Sequence, residues 1–223
     1  MNLPFTTEQF FSVFEAYNQA IWPAQVLSYL LGFLIIIAIF KQTRWAGRFI
    51  SGVLAFFWVW MGAAYHIAYF SRINPAAIIF GVLFITPGLL LIVFGVVLNR
   101  YAYGVKKGLT TIVGFVFIAY SMLFYPLLGY IFGHRYPGTP MFGVAPCPTT
   151  IFTFGVFLFG RTVIPYHQWS IPLIWSLVGM GAALSLQVPQ DYGLVASGVV
   201  GTIFVYLSNR KPSFTKIGAP SLG

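Results

Sequence analysis

Seven runs of mostly apolar residues fill this chain, at roughly 23–40, 49–71, 76–98, 109–133, 147–164, 169–187 and 193–208. A helix rises ~1.5 Å per residue and the hydrocarbon layer of a bilayer is ~30 Å thick, so about 20 apolar residues cross it. The runs have that length, the fifth and seventh being short. Only 7% of the 223 residues are charged and 59% are hydrophobic, against about 25% charged in a soluble domain. So few charges could not cover a water-facing surface. The expected fold is an all-α bundle of seven transmembrane helices whose first partner is the lipid bilayer.

The charges also orient it. If the segment after the first run is cytoplasmic, ten of the 12 Lys and Arg residues fall inside: Lys41, Arg44, Arg48, Arg100, Lys106, Lys107, Arg161, Arg210, Lys211 and Lys216. Arg72 and Arg135 fall outside. Basic residues collect in cytoplasmic loops of membrane proteins, so the expected topology has the N-terminus outside and the C-terminus inside. The formal charge of +9 then reflects insertion and not nucleic-acid binding. Glu8, Glu15 and Asp191, the three acids, all lie outside or at the outer interface.

Residues 6–22 read as an amphipathic helix on the outer surface. Thr6 and Gln9 have capping-box spacing. Phe10, Phe14, Tyr17 and Ile21 form one stripe, opposite Glu8, Ser12, Glu15 and Gln19. The apolar stripe either sinks into the headgroup boundary or caps the bundle. The opening nine residues lack a basic n-region, so the run Val26–Phe40 is expected to be retained as an anchor. The expected organisation is an interfacial helix over 1–22, a seven-span domain over 23–208 and a basic cytoplasmic tail over 209–223. Gly193, Ser197 and Gly201, with Gly179 and Ala183, have the spacing of close helix packing in lipid.

Several chemistries are excluded. A retinal Schiff base needs an intramembrane lysine, and every lysine sits in a cytoplasmic loop or the tail. Proton relays use carboxylates within the spans, and no run carries one. Metalloprotease, Walker A and dinucleotide-binding motifs are absent. The single cysteine, Cys147, excludes an intramolecular disulfide.

Four constellations remain. Cys147 lies between Pro146 and Pro148 at the start of the fifth run, with Thr149 or Thr150 placed to cap that helix and His134 and Arg135 just upstream. A thiol at a helix N-terminus is a nucleophile and a soft-metal ligand; the plain alternative is a small buried hydrophobe. His66 lies about 9 Å below Arg72 by helix rise, among Trp60, Tyr65 and Tyr69. An intramembrane histidine is a functional-site hypothesis by default; the alternative is a neutral ring hydrogen-bonded inside the protein. His66, His134 and Cys147 are therefore candidate ligands for a soft metal or haem, roofed by Glu8 or Glu15, with Asp191 nearby. On the cytoplasmic side, Arg161 with Tyr166, His167 and Gln168 is either an anion site or plain positive-inside anchoring. Pro87-Gly88 and Tyr125-Pro126 interrupt two runs. Broken helices line binding cavities in transporters, and Tyr120, Tyr125 and Tyr130 with Tyr65 and Tyr69 would give such a cavity an aromatic, hydroxyl-bearing wall.

The opening Pro4-Phe5-Thr6-Thr7-Glu8-Gln9-Phe10-Phe11, with Tyr17-Asn18 and Trp22-Pro23-Ala24-Gln25, resembles an uncharacterised family of small bacterial multi-helix membrane proteins. Pro146-Cys147-Pro148-Thr149-Thr150-Ile151-Phe152-Thr153 resembles the same family. The resemblance implies a bacterial inner-membrane location and supplies no activity. Three functions stay open. The first is binding or transport of a small solute or soft metal at an outward-facing site lined by Glu8, Glu15, His66, Tyr69, Tyr125, His134 and Cys147. The second is a non-catalytic accessory subunit with membrane-protein partners or further copies of itself. The third is an enzyme using Cys147 or His134 at the outer interface.

Overall fold

The computed structural model describes residues 4–186 and 188–210. The described residues are helical apart from loops and turns. Helix α1 spans Thr7–Ala20, α2 Ala24–Lys41, α3 Ala46–Trp60, α4 Ala77–Leu90, α5 Leu109–Ala119, α6 Tyr125–Ile131, α7 Pro146–Phe157, α8 Tyr166–Leu186 and α9 Tyr192–Arg210. Three helices pass into π-helical turns: Met61–Tyr69 continues α3, Leu91–Val97 continues α4, and Tyr120–Phe124 joins α5 to α6.

Among the described residues, six helical stretches are long and apolar enough to cross a membrane: Ala24–Lys41, Ala46–Arg72, Ala77–Val97, Leu109–Ile131, Tyr166–Leu186 and Pro189–Arg210. Their outward faces carry Leu30, Phe33, Ile37, Ile79, Val82, Ile112, Leu184 and Ile203, all well exposed. Side chains like these cannot face water in such numbers. The protein is a multi-pass membrane protein whose outer helical faces contact lipid.

The expected fifth span, at 147–164, is not among them. Helix α7 has 12 residues, and every one of them, Pro146 to Phe157, is buried. The chain still passes from one end of the bundle to the other here. Val144, before α7, accepts from the Tyr17 hydroxyl at the α1 end, and Gly160, after it, bridges Tyr103 at the opposite end. The physical reason for the difference is enclosure. Helix α7 packs against α5, α8 and α9, and Trp58 of α3 donates to the Thr153 hydroxyl at 3.1 Å. A rod enclosed by protein needs no lipid-facing surface, and non-helical backbone at its ends is tolerated where protein surrounds it.

The packing depends on small residues. A Cβ on Gly114 of α5 would lie 3.1 Å from the Gly155 carbonyl of α7, and one on Gly155 would lie 3.0 Å from that of Gly114. A Cβ on Gly62 would meet the Gly81 carbonyl at 2.6 Å, and one on Gly201 would meet Phe154 at 2.7 Å. Close approach of this kind is what holds helices together in lipid, where burial of apolar surface gives little drive. The small residues of α9 are therefore consumed within the chain.

Helix α1 lies across one end. Its capping box forms: the Gln9 backbone N–H donates to Thr6 Oγ1 at 3.2 Å and the Thr6 N–H to Gln9 Oε1 at 2.8 Å. Phe10, Val13, Phe14, Tyr17 and Asn18 are its buried face, stacked on Tyr65, Tyr69 and Phe70. Of the two readings of its apolar stripe, it caps the bundle. The other end carries Lys41, Arg44, Arg48, Arg100, Lys106, Lys107, Arg161 and Arg210. The expected tail, with Lys211 and Lys216, lies outside the described residues beyond Arg210.

Candidate functional site

One group of buried polar residues lies on the α1 side of the bundle, where the turn before α9 meets α6 and α8. The turn Pro189–Asp191 carries Asp191 into this region, 2% exposed. The Tyr125 hydroxyl donates to Asp191 Oδ1 at 2.5 Å, a short bond of the kind made between hydroxyl and carboxylate. The Cys147 thiol lies close enough to the same carboxyl and to the Tyr125 hydroxyl to interact with both electrostatically. Beside Cys147 lies Trp175 of α8, whose buried indole N–H interacts with the Cys147 sulfur and makes no well-formed hydrogen bond among the described residues.

Trp175 connects this group to His66. The two rings are 5.1 Å apart, edge to face. Phe84 lies 4.5 Å and Tyr65 5.1 Å from the same imidazole. His66 is fully buried, and neither ring nitrogen has a hydrogen-bond partner among the described residues. An imidazole always presents at least one donor or acceptor, and leaving a buried polar group unsatisfied costs about 1–3 kcal/mol. Of the two readings of His66, the internally satisfied ring is therefore not what the structure shows.

Local sequence explains the placement. The π-helical turn Met61–Tyr69 widens the helix and turns Tyr65 and His66 inward together; π segments are uncommon and recur at functional sites. The π turn Tyr120–Phe124 ends at Tyr125 and Pro126; Pro126 has no N–H to give the preceding turn, and the Met122 carbonyl four residues back accepts from the Tyr29 hydroxyl at 3.0 Å instead. Pro146 and Pro148 likewise occupy the first turn of α7. Cys147 is thus inside the helix, not in an extended lead-in. The cap of α7 also differs from expectation. Ala145 is its N-cap residue, without a side-chain cap, while Thr149 Oγ1 donates to the Ala145 carbonyl at 2.7 Å and accepts from the Gly143 N–H at 2.9 Å.

The sequence-derived candidates separate into two groups. His66, Tyr125 and Cys147 join one buried cluster with Asp191, Trp175 and Tyr65. Glu8 and Glu15 are exposed on the outer face of α1 and do not roof it. Its own backbone and the Thr6 hydroxyl hold the Glu8 carboxyl below the usual carboxylate range, as a first-turn acid on a helix should be. Tyr69 packs on Tyr17 at 5.2 Å, with Arg72 4.6 Å above its ring. His134 stacks on Phe11 at 4.2 Å, and its Nδ1 is 3.3 Å from Gln190 Nε2; burial lowers its pKa. His134 therefore belongs to the rim. Among the described residues no three His, Cys, Asp or Glu side chains form a group that could hold a metal ion, so the expected convergence of His66, His134 and Cys147 does not form.

Asp191 and Trp175 were not among the selected candidates. Asp191 left one signal, as the sole acid beyond Glu15, set beside Pro189 and Gln190. Its position between two runs reads as solvent; the 3₁₀ turn folds it inward instead. Trp175 left no signal, since a tryptophan near the middle of an apolar run is ordinary.

The same two segments that carry the resemblance, α1 and the start of α7, meet here: the Tyr17 hydroxyl donates to the Val144 carbonyl at 2.9 Å and accepts from the Trp60 indole at 2.8 Å. A family signature runs from the first turn of α1 past the end of α9, over residues 7–216. The chain belongs to DUF6064, a family of unknown function. The DUF6064 match covers every element that builds the cluster. No curated protein and no solved structure matches the chain.

Proposed function

We propose that this DUF6064 protein binds a small, hydrogen-bonding solute within the outer half of its helix bundle, as a carrier or receptor in a bacterial inner membrane. The observation that carries the reading is the set of orphaned groups beside a buried carboxyl. His66 offers two unpartnered ring nitrogens, and the Trp175 indole N–H beside it meets only the Cys147 sulfur, next to Asp191 and Tyr125. A solute with both donors and acceptors would complete them, and the aromatic rings of Tyr65, Phe84 and Trp175 would hold its apolar body. His66 and Cys147 do not join a third ligand among the described residues, which favours a solute over a soft metal held by three or more side chains. The accessory-subunit reading loses its motive because the small-residue faces pack inside the chain. The enzyme reading loses its motive because Cys147 is enclosed.

The charge distribution supports placing α1 outside. Eight basic residues mark the opposite end, while Arg72 and Arg135 accompany α1 together with all three acids, and basic ends stay cytoplasmic.

Native mass spectrometry of the protein released from mild detergent tests the binding. Wild type is expected to retain a small-molecule mass that His66→Phe with Asp191→Asn loses. A bare wild-type mass, together with no thermal stabilisation by any member of a broad panel of polar metabolites, would contradict it. Labelling of Glu15→Cys in a Cys147→Ser background, using a membrane-impermeant maleimide on intact cells, checks the sidedness; protection of that cysteine until the cells are broken would reverse the orientation.

A further inference from the structure

The end opposite α1 has a feature that solute binding does not use. Three loops meet there: residues 42–45 after α2, 98–108 before α5, and 158–165 between α7 and α8. Backbone bonds clamp the second to the third. The Gly104 N–H donates to the Phe159 carbonyl at 2.9 Å and the Arg161 N–H to the Ala102 carbonyl at 2.7 Å, and the Ala102 N–H reaches Thr162 Oγ1 at 3.2 Å. Gly47 lets the start of α3 press on this unit, since a Cβ there would lie 2.1 Å from the Tyr101 carbonyl. Two non-glycine residues take positive φ to shape the loops, Gln42 at 47° and Asn99 at 50°; such positions are uncommon and mark built turns.

Between the loops lies a cleft of about 530 Å³ lined by Gln42, Thr43, Arg44, Asn99, Tyr103 and Arg161, with the backbone of their neighbours. Two arginines face it from different loops, and no acidic residue lines it. The Arg161 guanidinium is held in place by Gln42 Oε1, which leaves further N–H groups of its fork free to donate. Tyr103 is buried with its hydroxyl beside that of Ser51, and neither makes a well-formed hydrogen bond among the described residues. Beside the lining residues in the chain, Phe40, Trp45 and Leu98 are exposed; they would form an apolar collar of the kind that sits at the headgroup level of a membrane.

We infer that this cleft is a binding site for a phosphate-bearing anion, with Arg44 and Arg161 as its two donors of charge. Planar guanidinium groups suit phosphate because each gives two parallel N–H bonds. Asn99 and Thr43 add neutral donors. The site is separate from the solute cluster by the length of the bundle. The phosphate is either the headgroup of an anionic phospholipid or that of a soluble phosphate compound, and the two sources make different demands. A lipid headgroup would enter past the Phe40–Trp45–Leu98 collar with its chains outside. A soluble anion would enter from water and needs no collar.

The test uses the full chain in mild detergent. Native mass spectrometry reads retention of phosphatidylglycerol against phosphatidylcholine, and calorimetry reads binding of inorganic pyrophosphate. Each is repeated on Arg44→Gln with Arg161→Gln and, separately, on Thr43→Glu, which adds a negative charge at an exposed loop position without touching the Gln42–Arg161 contact. Thermal unfolding confirms that each variant is folded. At least tenfold preferential retention of phosphatidylglycerol, lost at least tenfold in both variants, assigns the site to a lipid headgroup. Pyrophosphate binding lost in both variants, without lipid preference, assigns it to a soluble phosphate compound. Equal retention of the two lipids and no pyrophosphate binding, or affinities unchanged in Thr43→Glu, would overturn the inference.

Discussion

The Tyr125–Asp191 bond is the strongest interaction in the buried cluster, and its contribution can be worked out. Tyr125→Phe removes one hydroxyl and almost no volume, so no cavity term enters. What is lost is a 2.5 Å hydrogen bond and the partner of a buried carboxyl. A hydrogen bond to a charged group contributes about 1.5–3 kcal/mol, and an acceptor left unsatisfied costs about 1–3 kcal/mol. Because the Cys147 thiol still contacts Asp191, the loss should fall near the lower half, at about 2 kcal/mol. Asp191→Ala removes the acceptor itself, leaving the Tyr125 hydroxyl unpaired, for about 2–3 kcal/mol. Because both changes break the same bond, the double variant should lose less than the two losses added together, by about 1 kcal/mol or more. Equilibrium unfolding in mixed micelles, titrated from mild detergent to sodium dodecyl sulfate, measures all four corners of the cycle. Losses that simply add, within about 0.5 kcal/mol, would show that the two residues do not act as a pair.

Three further outcomes are expected. Gly62→Ala should destabilise by about 1–3 kcal/mol, because its Cβ would meet the Gly81 carbonyl at 2.6 Å, whereas Gly52→Ala, with its nearest contact at 3.6 Å, should be neutral or slightly stabilising; equal effects in the same unfolding assay would refute the close α3–α4 approach. Asn18 Nδ2 donates to the Pro137 carbonyl at 2.6 Å and the Thr139 carbonyl at 2.8 Å, so Asn18→Ala should release α1, seen as faster amide hydrogen exchange over residues 7–20; unchanged exchange there would mean that the aromatic stack alone holds it. Cys147 is enclosed against Asp191, so N-ethylmaleimide should label it only as the protein unfolds; rapid stoichiometric labelling of the folded protein would contradict that enclosure.

Much of the architecture is legible in the sequence because lipid imposes a length and a composition on each span. The runs at 49–71 and 76–98 correspond to Ala46–Arg72 and Ala77–Val97, and the Thr6–Gln9 spacing predicts the capping box that forms. The fifth run differs from a lipid-facing span for a definite reason. Apolar content reports removal from water and does not distinguish burial in lipid from burial in protein, so the run at 147–164 looks like a span although α7 touches protein on every side. The site is legible only in part. His66, Tyr125 and Cys147 stand out as polar residues among apolar ones. Asp191 does not, because a carboxyl between two runs looks solvated until the turn Pro189–Asp191 folds it under Tyr125. The roof of Glu8 and Glu15 fails through simple periodicity, as the stripe that buries Phe10, Phe14 and Tyr17 necessarily turns both acids outward.

The central claim is that the groups around His66 are completed by a solute. A density map of the wild-type protein in lipid nanodiscs, at a resolution that shows ordered water, tests it most directly. The account predicts non-protein density within hydrogen-bonding distance of a His66 ring nitrogen and the Trp175 N–H, on the Asp191 side of the rings. A map in which both groups bond to protein atoms, with the rings closed together and no room between them, would contradict it.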